Sequence, residues 1–326
     1  MRILIVTTAK PGSLQGNRVT ARRWARILRE LGHDVRIVAA YDGQKCDIMV
    51  ALHARKSAAS VERFRNERPR SPLILAMVGT DLYRDIRINR TARRSMELAS
   101  RLILLQFHGL SALPSRLAHK ARVIFQSATL PRGCPPPLEN VFEVCVIGHL
   151  VPVKDPFRAA QAARLLPESS RVQIVHVGKA MSPAMQRRAE SERDANSRYR
   201  WLGEVPPREA HRRLARSRML VHSSIIEGGA NVLSEAIAAG VPVLSSRISA
   251  SLGLLGEEYP AYFEVGDTRA LSQLMLRAEQ DQAFYQELKD RCKSRSPLVD
   301  PEREKRSWYD LLGEFLWEAC GPHASS

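Results

Sequence analysis

The chain has 326 residues and is strongly basic, with 50 Lys and Arg against 34 Asp and Glu and a formal net charge of +16. Its length exceeds one compact core of ordinary size, so two domains are expected. The five cysteines are odd in number and form no C-x-x-C pair, which argues against a disulfide framework or a zinc site. The opening apolar run is too short for a signal peptide and no later run spans a bilayer, so we expect a soluble cytoplasmic protein.

Short apolar runs alternate with helical patterns through most of the chain, first in one series and then in a second. This alternation predicts an α/β protein with two doubly wound, Rossmann-like domains that face each other across a cleft. Strands are predicted at 2–7, 34–40, 47–52, 73–79, 101–106 and 121–126, and then at 142–148, 172–178, 199–203, 217–224, 242–246 and 262–266. Helices are predicted at 17–31, 156–166, 207–215 and 230–239.

The two series are separated by a stretch, 127–140, that contains four prolines and a glycine and has no periodicity. We therefore predict an N-terminal domain over 1–130, a Pro-rich linker over 131–140 and a C-terminal domain over 141–300. The remaining segment, 301–326, has apolar residues at helical spacing and is expected to form a helix that packs on one domain, followed by a tail.

One segment of the second series has the features of a site for a phosphorylated ligand. A predicted strand runs into the turn Glu227-Gly228-Gly229, a helix that carries Glu235 follows, and Gly240 ends it. The start of a helix offers backbone N–H groups and a positive dipole end to a diphosphate. The two carboxylates can accept hydrogen bonds from hydroxyls at opposite ends of a sugar nucleotide.

This segment resembles the E-x7-E signature of glycosyltransferase family 4, whose members have the GT-B fold. The resemblance implies that Glu235 binds the nucleotide ribose and that Glu227 contacts the donor sugar. The string V-I-G-H-L-V-P-V-K-D-P (146–156) is similar to the family pattern G-R-L-x-x-x-K-G, with Lys154 at the lysine and His149 at the arginine that neutralise the donor diphosphate. The predicted catalytic residues are Glu227, Lys154 and His149, and the predicted donor-binding residues are Gly148, Lys154, Glu227, Gly228, Gly229, Asn231 and Glu235.

Three loops of the first series follow predicted strand ends and are expected to converge where such enzymes receive the acceptor. They are P-G-S-L-Q-G-N-R (11–18), H-A-R-K (53–56) and G-T-D-L-Y-R-D (79–85). Glycines permit close backbone approach, and the arginines and lysine favour an anionic acceptor. The predicted acceptor-binding residues are Gly12, Gly16, Asn17, Arg18, His53, Arg55, Thr80, Asp81 and Arg84.

Neither a metal nor an organic cofactor is predicted, because no D-x-D pair follows a strand and no His, Asp and Glu cluster has metal-ligand spacing. No serine or cysteine has an evident triad partner, so covalent catalysis is not indicated. Catalysis is expected to depend on positioning and on electrostatic stabilisation of the departing diphosphate.

Four longer strings, 16–33, 51–58, 79–85 and 146–158, resemble the SenB family of selenosugar synthases from selenoneine biosynthesis, and the likeness includes the histidine at 149. It implies that selenophosphate attacks a UDP-sugar, such as UDP-N-acetylglucosamine, and forms a 1-selenosugar with release of UDP and phosphate. Selenophosphate is already anionic and nucleophilic, so a general base matters less than it would for an alcohol acceptor.

Three other functions are open at the level of sequence. An ordinary family 4 glycosyltransferase would use an alcohol or lipid-linked acceptor, and a sugar-nucleotide epimerase would cleave the same bond. A nucleic-acid-binding protein would use the basic charge, but it would need clustered basic and aromatic residues, and aromatics make up only 6% of the chain.

Overall fold

The computed structural model describes residues 1–129, 133 and 135–320, and the side chains as far as 316. The chain forms two compact units: residues 1–126 together with the segment that begins at Pro301, and Ser127–Asp300. All twelve predicted strands are present in the described residues, six in each unit, within a few residues of their predicted ends. Part of the predicted linker, 131–140, lies outside the described residues.

The first unit contains a parallel six-stranded sheet in the order β2-β1-β3-β4-β5-β6. Its central strands β3 and β4 are buried along their whole length, as expected for a parallel sheet covered by helices on both faces. The strands are β1 Arg2–Val6, β2 Asp34–Val38, β3 Ile48–Leu52, β4 Leu73–Met77, β5 Arg101–Leu104 and β6 Ala121–Val123. The helices of this part of the chain are α1 Gly16–Glu30, α2 Ala58–Glu67, α3 Ile86–Ile88 and α4 Arg90–Leu98, and a π-helical turn, Asp81–Asp85, leads into α3.

The second unit contains another parallel six-stranded sheet, in the order β12-β11-β10-β7-β8-β9. Its strands are β7 Phe142–Ile147, β8 Val172–Val177, β9 Tyr199–Trp201, β10 Met219–His222, β11 Val243–Ser246 and β12 Tyr262–Phe263. Its helices are α5 Arg158–Ala163, α6 Pro183–Ala195, α7 Pro207–Arg216, α8 Asn231–Ala239, α9 Ser249–Leu255, α10 Thr268–Gln280 and α11 Gln282–Ser294. Helix α5 is shorter than predicted because a 3₁₀ turn, Pro152–Lys154, precedes it and Leu166 stands before a proline, which disfavours helical backbone.

The predicted C-terminal helix is present as α12, Pro301–Cys320, and it packs on the first unit. Trp308 is fully buried and meets Trp24 of α1 edge to face, with ring centroids 5.0 Å apart. The buried carboxylate of Glu304 accepts a hydrogen bond of 2.8 Å from Trp24 Nε1 and lies 3.1 Å from Arg23 Nε. The chain therefore returns, after completing the second unit, to complete the core of the first. No helix in the described part of the chain is both long and apolar enough to cross a membrane.

Candidate active site

The order of strands in the second sheet indicates where this unit binds a ligand. Chain order reverses between β7 and β10, and open parallel sheets bind ligands outside the carboxyl ends of their strands at such a reversal. The loop 148–155 leaves β7 at this point, and the loop 223–230 leaves β10 beside it. Both predicted donor segments therefore meet at the switch point of the sheet.

Gly178, directly after β8, allows a third loop to approach the first. A Cβ atom at this position would lie 1.8 Å from the carbonyl oxygen of Gly148, far inside any normal contact. Gly148 N donates to Val177 O at 2.9 Å, and Leu150 N donates to Lys179 O at 2.9 Å. These bonds continue the β7–β8 pairing beyond the strand ends and hold the loop after β7 in place.

His149 is oriented by the same contact between loops. The backbone N–H of Lys179 donates to Nδ1 of His149 at 3.3 Å. Because Nδ1 accepts this bond, the proton of the neutral ring is assigned to Nε2. His149 therefore places an imidazole with its proton on Nε2 where the family pattern has a permanently charged guanidinium.

Lys154 is held by the neighbouring loop. The hydroxyl of Ser223 shares its proton between the carbonyl oxygens of Lys154 and Asp155, at 3.1 and 2.9 Å. Asp155 has a left-handed backbone with φ of 42°, which turns the chain sharply after the lysine. The ammonium Nζ of Lys154 then lies 2.9 Å from Oε1 of Glu227.

Glu227 is ionised in this environment. Its side chain is only 17% exposed and also accepts a hydrogen bond of 3.1 Å from Ser224 Oγ. Burial is the largest single influence and acts to raise the pKa of Glu227, but the charge of Lys154, the nearby His222 and the hydrogen bonds from Lys154 and Ser224 together bring the pKa below its usual value. Lys154, at 32% exposure, contacts the carboxylate and still reaches solvent. The site thus presents an acceptor for hydroxyl groups beside a cation for phosphate oxygens.

The second glutamate of the motif has a partner on the preceding helix. Glu235 lies in α8, and its Oε1 is 3.4 Å from Nε2 of His211 in α7. The hydrogen bond to Glu235 raises the pKa of His211, although partial burial opposes it. Glu227 precedes this helix, which begins at Asn231, so the two glutamates lie on different elements, one in the loop after β10 and the other in α8.

Two further histidines, His176 and His222, line a small cavity beside Gly148 and Lys154. Burial lowers the pKa of each to about 4, so both are neutral at physiological pH. His176 bonds to Tyr199 OH at 2.9 Å and to Gly148 O at 3.2 Å. The Nε2 atom of His222 is buried and has no hydrogen-bond partner among the described residues.

In the first unit the chain order reverses between β1 and β3, and the predicted acceptor loops leave the sheet around that point. In the loop after β1, Gly12 has a φ of +83°, which favours glycine, and α1 begins at Gly16. Asn17 and Arg18 are half-buried in its first turn, and the buried Nε of Arg18 has no hydrogen-bond partner within the described chain.

The loops after β3 and β4 are joined through two buried polar side chains. His53 has an unusual φ of 77° and is 3% exposed, and its Nε2 lies 3.3 Å from Thr80 Oγ1. The fully buried carboxylate of Asp81 accepts three backbone N–H groups, from Val78, Gly79 and Ala54, at 3.0, 2.8 and 3.0 Å. Asp81 therefore holds the two loops together, as the β4 loop turns into the π-helical turn.

Two arginines at this edge share a buried carboxylate that was not among the predicted residues. Arg55 Nε lies 3.0 Å from Oδ2 of Asp85, and Arg84 Nε lies 3.4 Å from Oδ1. Both guanidinium groups are about half exposed, whereas Asp85 is 1% exposed. The edge of the first sheet is therefore positively charged at its surface.

Comparison with known proteins agrees with this geometry. Residues 136–297 match the family described as glycosyl transferases group 1. HepE of Anabaena, solved in complex with UDP, superposes with a TM-score of 0.77 at 15% identity over 96% of this chain and 100% of its own. Sucrose-phosphate synthase of Thermosynechococcus elongatus gives 0.78 at 15% identity over 97% and 99%. The chain is a glycosyltransferase with the GT-B fold.

The glycosyltransferase brings its predicted donor residues together around one loop cluster: Gly148, His149, Lys154 and Glu227 all lie at the β7–β10 reversal. Gly228, Gly229 and Asn231 connect this cluster to α8, where Glu235 lies apart, against α7. In the other unit, His53, Thr80 and Asp81 are in mutual contact, and Arg55 and Arg84 meet at Asp85.

Four residues of the glycosyltransferase site were missed by sequence reasoning: Gly178, His211, Ser223 and Asp85. Gly178 and Ser223 lie at the ends of predicted strands, so the rule that ligands meet strand ends would have found them. Asp85 ends the loop 79–85, of which only Thr80, Asp81 and Arg84 were predicted to bind the acceptor. His211 lies within a predicted helix rich in arginine, and no feature of the sequence pointed to its contact with Glu235.

Proposed function

We propose that this glycosyltransferase joins selenophosphate to the sugar of a UDP-sugar, UDP-N-acetylglucosamine or a similar donor. The products are a 1-selenosugar, UDP and phosphate. The donor half is supported by the cluster around Lys154 and Glu227 and by the fold shared with HepE, which has been solved with UDP and with UDP-glucose. The selenium half is supported by the four sequence strings that resemble selenosugar synthases.

The side chains at the carboxyl edge of the first sheet are the observation that best supports an anionic acceptor. His53 is buried and its Nε2 already lies 3.3 Å from Thr80 Oγ1, and the carboxylate of Asp81 is occupied by three backbone N–H groups. Neither predicted residue is therefore placed to deprotonate an alcohol. Arg55 and Arg84 lie at the surface beside them. This edge suits a nucleophile that arrives already ionised and carries its own oxyanion.

The proposed transfer needs no external redox reagent. The selenium anion of selenophosphate attacks C1 of the sugar, the bond from C1 to the β-phosphate oxygen breaks, and its electron pair leaves on UDP. Lys154 stabilises this developing charge, with Nε2–H of His149 as a second donor. Glu227 accepts from a sugar hydroxyl and Glu235 from the ribose. Hydrolysis of the Se–P bond then releases phosphate and leaves the selenosugar.

The test is to incubate the protein with UDP-N-acetylglucosamine and selenophosphate under anaerobic conditions, and to identify the products by mass spectrometry. We expect UDP together with a sugar that has the isotope pattern of selenium, and no such sugar with inorganic phosphate in place of selenophosphate. Release of UDP without a selenium-containing sugar would refute the acceptor. Intact donor with every acceptor offered would refute the UDP-sugar as well.

A pair of variants tests whether the turnover comes from this site and not from a contaminating enzyme. Lys154→Met removes the ammonium group while keeping an unbranched side chain, and we expect a fall in kcat on the order of 10²-fold or more. Lys293→Met, at an exposed position on α11, is the matched control and should retain full turnover. Equal rates in the two variants would show that Lys154 does not stabilise the leaving group.

A further inference from the structure

Asp85 is a buried acid in an uncommon local structure. It ends the π-helical turn that follows β4, and such turns are rare and often occur at functional sites. Its side chain is 2% exposed, so an ionised carboxylate here requires compensation from nearby positive charge. That compensation comes from Arg55, in the loop after β3, and from Arg84, in the same turn as Asp85.

The geometry of the two contacts leaves most N–H donors of each arginine available to a ligand. Both guanidinium groups approach the carboxylate through Nε, at 3.0 Å for Arg55 and 3.4 Å for Arg84. The terminal Nη groups carry the remaining four N–H donors of each side chain. Arg55 and Arg84 are 44% and 54% exposed, so these donors reach the surface.

The carboxylate is itself incompletely bonded. Oδ2 of Asp85 is buried and has no hydrogen bond of normal geometry in the described part of the chain, although Arg55 is near enough to neutralise it. Arg55 and Asp85 are thus held together by charge and not by a directional bond, whereas Arg84 Nε donates a hydrogen bond of 3.4 Å to Oδ1. Arg55 can reorient toward a ligand without losing its attraction to Asp85, because a charge contact depends weakly on angle.

The surroundings add positive charge and place the pair at a binding edge. Two arginines and one aspartate sum to a charge of +1, and the exposed Lys56 stands next to Arg55 in the chain. The loops after β3 and β4 lie at the carboxyl edge of the first sheet, where doubly wound sheets bind ligands. Asp81 and His53 join these two loops, so buried contacts hold together the two segments that carry the arginines.

We propose that Asp85 is a positioning residue that holds Arg55 and Arg84 as a clamp for the tetrahedral oxyanion group of the acceptor. Without a shared carboxylate, two guanidinium groups would repel each other and separate. With it, their outer N–H groups face a common ligand, in the bidentate manner that favours phosphate. This inference rests on the proposed function for the identity of the acceptor, but the clamp itself binds any phosphoryl oxyanion.

The test measures binding of inorganic phosphate by calorimetry, with saturating UDP present to occupy the donor site. We expect Asp85→Asn to weaken phosphate binding roughly tenfold, as for loss of one charged hydrogen-bonding partner. Arg55→Gln and Arg84→Gln should each weaken it similarly. The dissociation constant of UDP should stay within about twofold in all three, because the donor residues are untouched. Glu287→Gln removes an acid that pairs with exposed Arg291 at 3.3 Å, and it should change nothing.

A double-variant comparison separates positioning from simple folding. If Asp85 acts through Arg55, Asp85→Asn should weaken phosphate binding far less in an Arg55→Gln background than in the wild type. In turnover, Asp85→Asn should raise KM for selenophosphate more than it lowers kcat. Unchanged phosphate affinity with only a lower Tm would overturn the proposal, as would absence of phosphate binding by the wild type. If Asp85→Asn fails to fold, the two exposed arginine variants decide the same question.

The outcomes also distinguish this inference from the proposed function. Phosphate binding that depends on Asp85, Arg55 and Arg84, without any selenosugar product, would support the clamp and refute selenophosphate as the substrate. If the protein forms the selenosugar but its phosphate affinity is unchanged in all three variants, the function is supported and the clamp is overturned.

Discussion

Replacing Gly178 with alanine should damage both stability and turnover, although the change adds only a single methyl group. The new Cβ would lie 1.8 Å from Gly148 O, whereas real contacts of this kind are at least 3.0 Å. The loops must therefore separate by about 1.2 Å, the difference between the two distances. Gly178 has no left-handed backbone to complicate the comparison, so the cost is steric.

The magnitude follows from the bonds that cross this contact. Moving Gly148 away by that amount would stretch its 2.9 Å bond to Val177 O beyond the range of a hydrogen bond, and the 2.9 Å bond from Leu150 N to Lys179 O is stretched with it. Two such bonds contribute about 1 kcal/mol each. Overpacking adds strain, so we expect a loss of roughly 2–4 kcal/mol in the free energy of unfolding.

The same displacement moves His149 and the entrance to the Lys154 loop. A shift of about 1 Å in positioning groups can cost on the order of 10²-fold in rate. Urea unfolding gives the change in stability, and UDP release gives kcat/KM. The control is Gly313→Ala in α12, where a Cβ would meet nothing within 4 Å. It should be neutral or stabilise by up to about 1 kcal/mol. Gly178→Ala within about 0.5 kcal/mol of wild type, with kcat/KM within threefold, would refute the steric argument.

Three further changes test other contacts. Glu235→Ala should weaken UDP binding roughly tenfold by removing a charged acceptor of ribose hydroxyls; equal UDP affinity by calorimetry would contradict the ribose assignment. His211 has a pKa raised by its bond to Glu235, so its contribution to stability is complete below the unfolded pKa and is lost as pH rises through the folded pKa. The stability of wild type over His211→Gln, about 0.2–1 kcal/mol for such a partly exposed pair, should therefore be greater at pH 6 than at pH 8.5 in urea unfolding, and the opposite trend would count against the pair. Glu304→Gln removes the buried negative charge 3.1 Å from Arg23, which is 12% exposed, and should cost about 3 kcal/mol, which thermal or urea unfolding would detect; an unchanged midpoint would mean that the pair does not hold α12 in place.

Much of the fold is predictable because its signal is local. A buried parallel strand needs a short apolar run and a crossover helix needs a 3.6-residue period, so all twelve strands and α1, α7 and α8 can be recognised in sequence order. The position of Lys154 and Glu227 is also local in origin. Each follows a strand end, and parallel pairing by itself brings the carboxyl ends of the strands to one edge of the sheet.

Tertiary structure alone decided the contacts between distant segments. The sequence predicts α12 from its helical pattern, but only the packing shows that Trp308 and Glu304 contact α1, from which the whole second unit separates them along the chain. Likewise the closeness of Gly178 to Gly148, and the pairing of His211 with Glu235, depend on how loops and helices from separate repeats meet. Periodicity reports which face of an element is buried but not against what, because the identity of the partner depends on three-dimensional packing and not on spacing along the chain.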